Sequence, residues 1–163
     1  MNILAIDPGN VESGYCFIDS ISCKPTVFDK IENKELENGI VLDSRIDYIV
    51  IERIASYGMA VGREVFETCE EIGRITMLAD IRGIPHDYVY RRDEKLTICG
   101  SPKATDANIR RALIDRFAKH DLKNGKGTKD DPDWFYGFKA DVWSAYAVGV
   151  TWLMNEKGEK ASG

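Results

Sequence analysis

Three acids stand where apolar segments begin or end. Asp7 follows Ile3, Leu4 and Ile6, and Glu52 follows Tyr48, Ile49, Val50 and Ile51. Asp141 opens the apolar part of the C-terminal segment, with Ser144 three residues on, one helical turn later and on the same face. The first two runs predict strands buried in a sheet. An unpaired carboxylate in such surroundings costs on the order of several kcal/mol, so it is normally paired with a base or bound to a cation. Ligand sites in open α/β sheets lie beyond the carboxyl ends of the strands, so two adjacent strands ending in acids would bring both to one edge. Each acid alone has a plain explanation. Asp7 could stabilise its own turn, Glu52 could pair with Arg53, and Asp141 would favour a helix N-terminus. The three together form a more specific pattern, a set of hard oxygen donors for divalent ions. Two Mg²⁺ or Mn²⁺ ions about 3.5–4 Å apart are the equipment of phosphodiester hydrolysis, one activating water and the other stabilising the leaving 3′-oxygen. Such a site needs no clustered His or Cys.

The elements that would position these acids follow from the pattern. Residues 2–7 read as a buried strand, Pro8-Gly9-Asn10 as a turn, 13–20 as a second strand and 25–31 as a third. A short helix is expected over 33–43, a buried strand over 47–52, and a Gly-containing loop over 55–62. Residues 63–82 have helical period, with Val61, Val65, Cys69, Ile72, Ile75 and Ala79 on one stripe and Glu64, Glu67 and Glu71 opposite. A strand over 87–90, a short helix over 93–99 and a helix over 104–119 capped by Thr105 come next. A polar, mobile loop is expected over 123–132, and a long apolar helix over 138–154. This order predicts an α/β fold with a mixed five-stranded sheet flanked by helices, in a single domain over 1–155 with a flexible tail over 156–163.

Composition narrows the function classes. The chain has 163 residues, 44% hydrophobic and 30% charged, which suits one globular domain. No run is apolar enough for a membrane span, and no signal peptide is evident. Cys16, Cys23, Cys69 and Cys99 form no CxxC pair and read as reduced core thiols of a cytoplasmic protein. With only His86 and His120 to help, a structural zinc site is not expected. The net charge is −5, yet residues 91–129 hold eleven Lys/Arg against five Asp/Glu. A basic segment on an acidic body is either a phosphate-binding surface or a solvated helical face.

The stretch ILAIDPGNVESGY resembles the opening of RuvC-type Holliday junction resolvases, which have the RNase H-like fold. In that family a strand ends in Asp-Pro-Gly and a Gly-Tyr pair follows on the hairpin, matching Asp7, Pro8, Gly9, Gly14 and Tyr15. The family's second acid ends a later apolar strand, matching Glu52 in DYIVIER. Its last two acids lie one turn apart at the start of the final helix, and the match is Asp141 and Ser144 in DVWSAYAVGV. The resemblance implies a metal-dependent endonuclease of four-way and other branched DNA, acting in recombination and repair as a homodimer. Asp7, Glu52 and Asp141 would be its metal ligands for two Mg²⁺ or Mn²⁺ ions. Ser144 stands where a fourth acid is usual, as a neutral member of the catalytic set. Asp130, Asp131 or Asp133 in the preceding loop could supply the missing charge. Lys95 and Lys103 match the family's phosphate-contacting lysines, and Arg91 and Arg92 head the same basic segment. The aromatic wedge position falls at Ala55, with Tyr57 close enough to stack on bases. The compact chain and reduced fourth acid would suit a phage-encoded member.

Three other readings compete. An Asp followed by a Gly-rich turn on a hairpin also serves actin-like phosphotransferases, but those need a second lobe for which this chain has no room. Ser144 raises the possibility of a junction-binding protein that has lost catalysis. An RNase H-like nuclease acting on RNA–DNA hybrids would share the fold. For partnering, Phe66 and Met77 lie together outside the main stripe of 63–82, as either a wider core face or a surface covered by a second copy.

Overall fold

The computed structural model describes residues 1–162, without the side chains of residues 157 and 159–162. Five strands form one sheet in the order β3-β2-β1-β4-β5. Strands β1 (Asn2–Asp7), β2 (Glu12–Asp19) and β3 (Pro25–Glu32) form an antiparallel meander. Strands β4 (Tyr48–Arg53) and β5 (His86–Tyr90) continue the sheet parallel to β1. The crossover from β3 to β4 carries helix α1 (Asn33–Leu42), and that from β4 to β5 carries α2 (Arg63–Arg82). Helices α3 (Arg91–Cys99), α4 (Asp106–Phe117) and α5 (Ala140–Ser162) complete the chain. The expected mixed sheet with flanking helices is what forms.

Strand alternation divides the core in two. Leu4, Ile6, Ile49 and Ile51 face α1 and α2, where Leu36, Ile40, Ile72, Ile75 and Ala79 meet them. Ile3, Ala5, Cys16, Ile18 and Val50 face the other way, onto α5 with Val142, Tyr146 and Val150. Because both faces are covered, the β1 and β4 runs are apolar throughout. Helix α5 lies very close to the sheet. A Cβ on Gly149 would stand 2.4 Å from Ile18 Cδ1 and 2.9 Å from the Ala5 Cβ.

Several local expectations are corrected. Cys69 is exposed and only Cys16 is buried, so the four cysteines are not all core thiols. The inner face of α2 is Thr68, Glu71, Ile72, Ile75 and Ala79; Val61 precedes the helix and is exposed. Glu71, expected outside, is buried with one oxygen bonded to Arg74. The sheet surface meets a face rotated toward 68 and 71, and helical period alone leaves that rotation open. The loop expected to be mobile is tightly tied. Asp133 is buried and accepts backbone N–H bonds from Lys119, His120, Asp121 and Trp134, and Asp121 accepts them from Asn124, Lys126 and Gly127. The four N–H donors hold the Asp133 carboxyl well below its ordinary range despite the opposing effect of burial. Helix α5 continues past residue 154 as far as Ser162, and residue 163 of the expected tail lies outside the described residues.

Candidate active site

Asp7 is the last residue of β1, Glu52 the penultimate residue of the parallel neighbour β4, and Asp141 lies in the first turn of α5. The register pairs Asp7 with Gly14 of β2. A Cβ at Gly14 would lie 2.6 Å from the Asp141 carbonyl oxygen and 3.0 Å from its Cβ. Glycine at this position therefore lets the start of α5 approach the strand end that carries Asp7. The turn after Asp7 is held without the acid. Gly9 N–H donates to Ser13 Oγ at 3.2 Å, Ser13 Oγ donates to Asn33 Oδ1 at 2.7 Å, and the Asn33 amide donates to Gly9 O at 2.9 Å. Gly9 has no room for a side chain, since its Cβ would meet Glu12 O at 2.2 Å. The Asp7 carboxylate is thus free for other work, and the turn-stabilising explanation fails.

Glu52 does not pair with Arg53 either, because that guanidinium lies over the Tyr88 ring at 4.7 Å. Instead the Asp7 and Glu52 carboxyls stand side by side at the ends of neighbouring strands, each within reach of the other's charge. Burial first, then Glu52 and Asp141, pushes the Asp7 carboxyl up to about 8. Glu52 is also raised, by burial and then by the charge of Glu94. Asp141 is turned to Lys30 of β3, whose ammonium stands 2.9 Å from its carboxylate and 3.4 Å from Glu12. Among the described residues no three His, Cys, Asp or Glu side chains stand in an arrangement that holds a metal ion as they are. The donor set nevertheless fits a hard cation. Two of its acids are buried side by side with no cation between them, and the third neutralises an ammonium that a divalent ion would displace.

Two charged residues complete the surroundings: Arg91, expected among the DNA contacts, and Glu94, which the sequence pattern did not single out. Arg91, the first residue of α3, binds Glu94 at 2.5 Å and also pairs with Asp106 at the start of α4. Its positive charge lowers both Asp7 and Glu52. Glu94 is wholly buried, and burial pushes its carboxyl up to about 7. Within RRDEKL an isolated Glu in a charged run reads as solvated, so only the packing of α3 reveals it. A cleft of about 160 Å³ opens beside Asp141, lined by Arg91, Asp106, Arg110 and Ser144. Ser144 shares this cleft with Asp141, as the one-turn spacing implies.

The other candidates are more dispersed. Tyr57 is 66% exposed in the loop after β4. Arg92 and Lys103 are exposed and Lys95 is half-buried on α3. Lys103 borders a separate groove with Ser101, Asn108 and Arg111. Part of the basic segment is spent inside the fold: Arg111 binds Asp115 and the carbonyls of Leu122 and Lys123, and Arg110 stacks on Trp143. Asp133, with its carboxylate occupied by four backbone donors, cannot supply the charge missing at Ser144. Asp131 lies against His120 instead.

No family model and no curated protein matches the chain in sequence. Solved structures do match in shape. RuvC of Thermus thermophilus in complex with a Holliday junction substrate aligns with a TM-score of 0.73 at 11% identity, over 98% of this chain and 96% of that one. A second structure of Thermus thermophilus RuvC gives 0.67 at 16% identity, over 97% of each chain. The yeast mitochondrial Holliday junction resolvase Ydc2 gives 0.63 at 14% identity, over 98% of this chain and 80% of that one. A sheet of order β3-β2-β1-β4-β5 with acids at the ends of its central strands, superposable on these proteins over nearly its whole length, gives this chain the RNase H-like fold of the RuvC resolvases.

Proposed function

We propose that the protein is a divalent-metal-dependent endonuclease that hydrolyses phosphodiester bonds in four-way and other branched DNA, in recombination or repair. The observation that carries this reading is the meeting of Asp7, Glu52 and Asp141 at one sheet edge, in a fold shared with junction resolvases. Asp7, Glu52 and Asp141 would hold Mg²⁺ or Mn²⁺, two per site, and Ser144 would offer a neutral oxygen. When bound, such ions generate the nucleophilic hydroxide and stabilise the leaving 3′-oxygen. The chain's own groups do the rest. Asp7 and Glu52 would bind such an ion as carboxylates, any proton on Asp7 passing to solvent, and Asp141 would face the ion in place of Lys30. Lys95, Lys103, Arg91 and Arg92 position phosphates, and Tyr57 stacks on a base near the crossover. Incubating synthetic four-way junctions with the protein in Mg²⁺ or in Mn²⁺, and mapping the cuts, tests the proposal. Paired cuts near the crossover are expected. Binding without any cut would favour the catalytically inactive junction binder, and cutting of RNA–DNA hybrids alone would favour the RNase H-like alternative.

Lys95→Ala and Lys103→Ala are expected to weaken junction cleavage while leaving the fold intact. Among the described residues neither ammonium makes an ion pair, so little stability is lost with it. Each lost phosphate contact should lower the slope of log affinity against log salt by about one unit. Slopes equal to that of the wild type in both variants would remove these lysines from the DNA interface.

We also propose that the working unit is a homodimer. A four-way junction needs two symmetric cuts, each chain carries one acid set, and twofold dimers are the commonest assembly. On α2, Phe66 is 61% exposed, Met77 52% and Ile81 73%, with open space over Gly73 between them. The wider-core reading of Phe66 and Met77 therefore fails, and this apolar face is available to a second copy. Sedimentation at micromolar concentration should give a dimer, and Phe66→Glu with Met77→Glu should give a monomer. A wild-type monomer that stays at one chain per bound junction would overturn paired cleavage.

A further inference from the structure

Ser144 leaves the acid set one charge short of the four that the resemblance implies, and Asp133 and Asp131 of the preceding loop are engaged elsewhere. The structure offers another source. Glu94, on α3, has no exposed surface, yet its Oε1 has no hydrogen-bond partner among the described residues. Its Oε2 is bound by Arg91 at 2.5 Å. A buried carboxylate oxygen without a donor is costly, on the order of 1–3 kcal/mol or more for a charged group, and it calls for an explanation.

The fold directs this oxygen's element toward the other acids. Strand β5 pairs with β4 so that Val89 lies beside Glu52 and Tyr90 beside Arg53. Helix α3 starts at the next residue, so its first turns sit at the sheet edge where Asp7 and Glu52 end their strands. An anchoring role for Arg91 accounts for Oε2 only. Arg91 also has Asp106 as a second acceptor, so anchoring it does not require a buried glutamate with a spare oxygen.

We propose that Glu94 is the fourth carboxylate of the site, a ligand to its divalent cation through Oε1, supplying from α3 the charge that Ser144 does not supply from α5. Arg91 then acts as a positioning residue, holding Oε2 as outer hydrogen-bond partners hold metal ligands. This assignment rests on the nuclease reading above, and it adds a ligand from an element to which the sequence comparison assigned only basic contacts.

The test is Mn²⁺ binding to the full chain without DNA, followed by calorimetry and by the electron paramagnetic resonance of free Mn²⁺. Glu94→Gln should weaken Mn²⁺ affinity by at least about tenfold, the lower end of what loss of even an outer-shell partner costs. Its metal-free junction affinity should stay within about threefold of wild type, since the Gln carbonyl oxygen still accepts from Arg91. Adding Ser144→Asp to Glu94→Gln should restore Mn²⁺ affinity, and should raise it more there than in the wild-type background. Mn²⁺ affinity of Glu94→Gln within twofold of wild type would overturn the assignment. So would a variant that loses junction affinity and keeps Mn²⁺ affinity, since that is the signature of an Arg91 anchor. If Glu94→Gln does not fold, the wild-type protein with ¹³C-labelled glutamate decides: Mn²⁺ should broaden the Glu94 carboxyl carbon, and an unbroadened signal beside a broadened Glu52 would overturn the proposal. Asp7→Asn separates this from the underlying reading. Wild-type protein that binds no Mn²⁺, or Asp7→Asn that binds it unchanged, counts against the nuclease site itself; loss in Asp7→Asn with none in Glu94→Gln counts against Glu94 alone.

Discussion

Asp7→Asn is expected to lower junction cleavage by at least the hundred- to thousandfold, roughly, that loss of one charge-stabilising group costs an enzyme. Its junction affinity should stay close to wild type. The two effects separate because they rest on different groups. Asp7 sits at the centre of the acid set, beside Glu52 and in the field of Asp141. On the proposed reading, DNA affinity would be carried by Lys and Arg contacts to phosphate. The substitution also preserves shape, and a neutral amide replaces a carboxyl that burial already holds largely neutral at pH 7, so the fold is not threatened. Retained stability together with lost cleavage is therefore the expected pair of results, read by thermal unfolding and by cutting of labelled junctions. Cleavage at the wild-type rate would take Asp7 out of the mechanism.

The second large effect is a stability that falls with rising pH and returns with metal. In the folded chain Asp7 is pushed from its ordinary 3.8 up to about 8, chiefly by burial, and Glu94 from 4.5 up to about 7. Glu52 is raised as well. Between the ordinary and the raised values the folded state therefore binds more protons than the unfolded chain, so unfolding becomes easier as pH rises. These acids cost nothing below about pH 4, and their penalty grows until about pH 8. The lowered carboxyls, Asp133, Asp121 and Asp43, act in the opposite sense, and their contribution is lost only as pH falls below the ordinary carboxylate range. From about pH 5 to 8 the metal-free melting temperature should thus decline. Mg²⁺ or Mn²⁺ should reverse the decline, since a cation at a hundredfold excess over its Kd stabilises by about 2.7 kcal/mol, or roughly 5–10 °C in a chain of this size. Asp7→Asn should flatten the pH dependence and weaken the metal response. A melting temperature that is level across this range in the wild type, or one insensitive to both cations, would contradict a buried cluster of raised acids awaiting a cation.

Much of this was legible in the sequence because it depends on local pattern. Two apolar runs ending in acids, a hairpin-forming turn and a period of 3.6 in residues 63–82 specify strands, helices and the sheet edge where Asp7 and Glu52 meet. Strand alternation further requires that β1 and β4 be covered on both faces. The pattern leaves open whatever depends on how elements rotate or on which residues are brought together from afar. The inward turn of Glu71 and the outward turn of Cys69 follow from the rotation of α2, which a stripe of apolar residues does not define to within one position. Asp133 looked like a solvated loop acid until the fold brought the N–H groups of residues 119–121 around it. Lys30 meets Asp141 only because Gly14 lets α5 approach β2, and no spacing in the chain encodes that contact. Glu94 is the sharpest case: its neighbours Arg92, Asp93 and Lys95 read as a solvated charged run, and burial comes from the docking of α3 against α4, α5 and β5. Sequence determines which groups end which elements, because that is written in polarity and period; tertiary structure alone decides which charges lose their water, because desolvation is set by neighbours that lie far away along the chain.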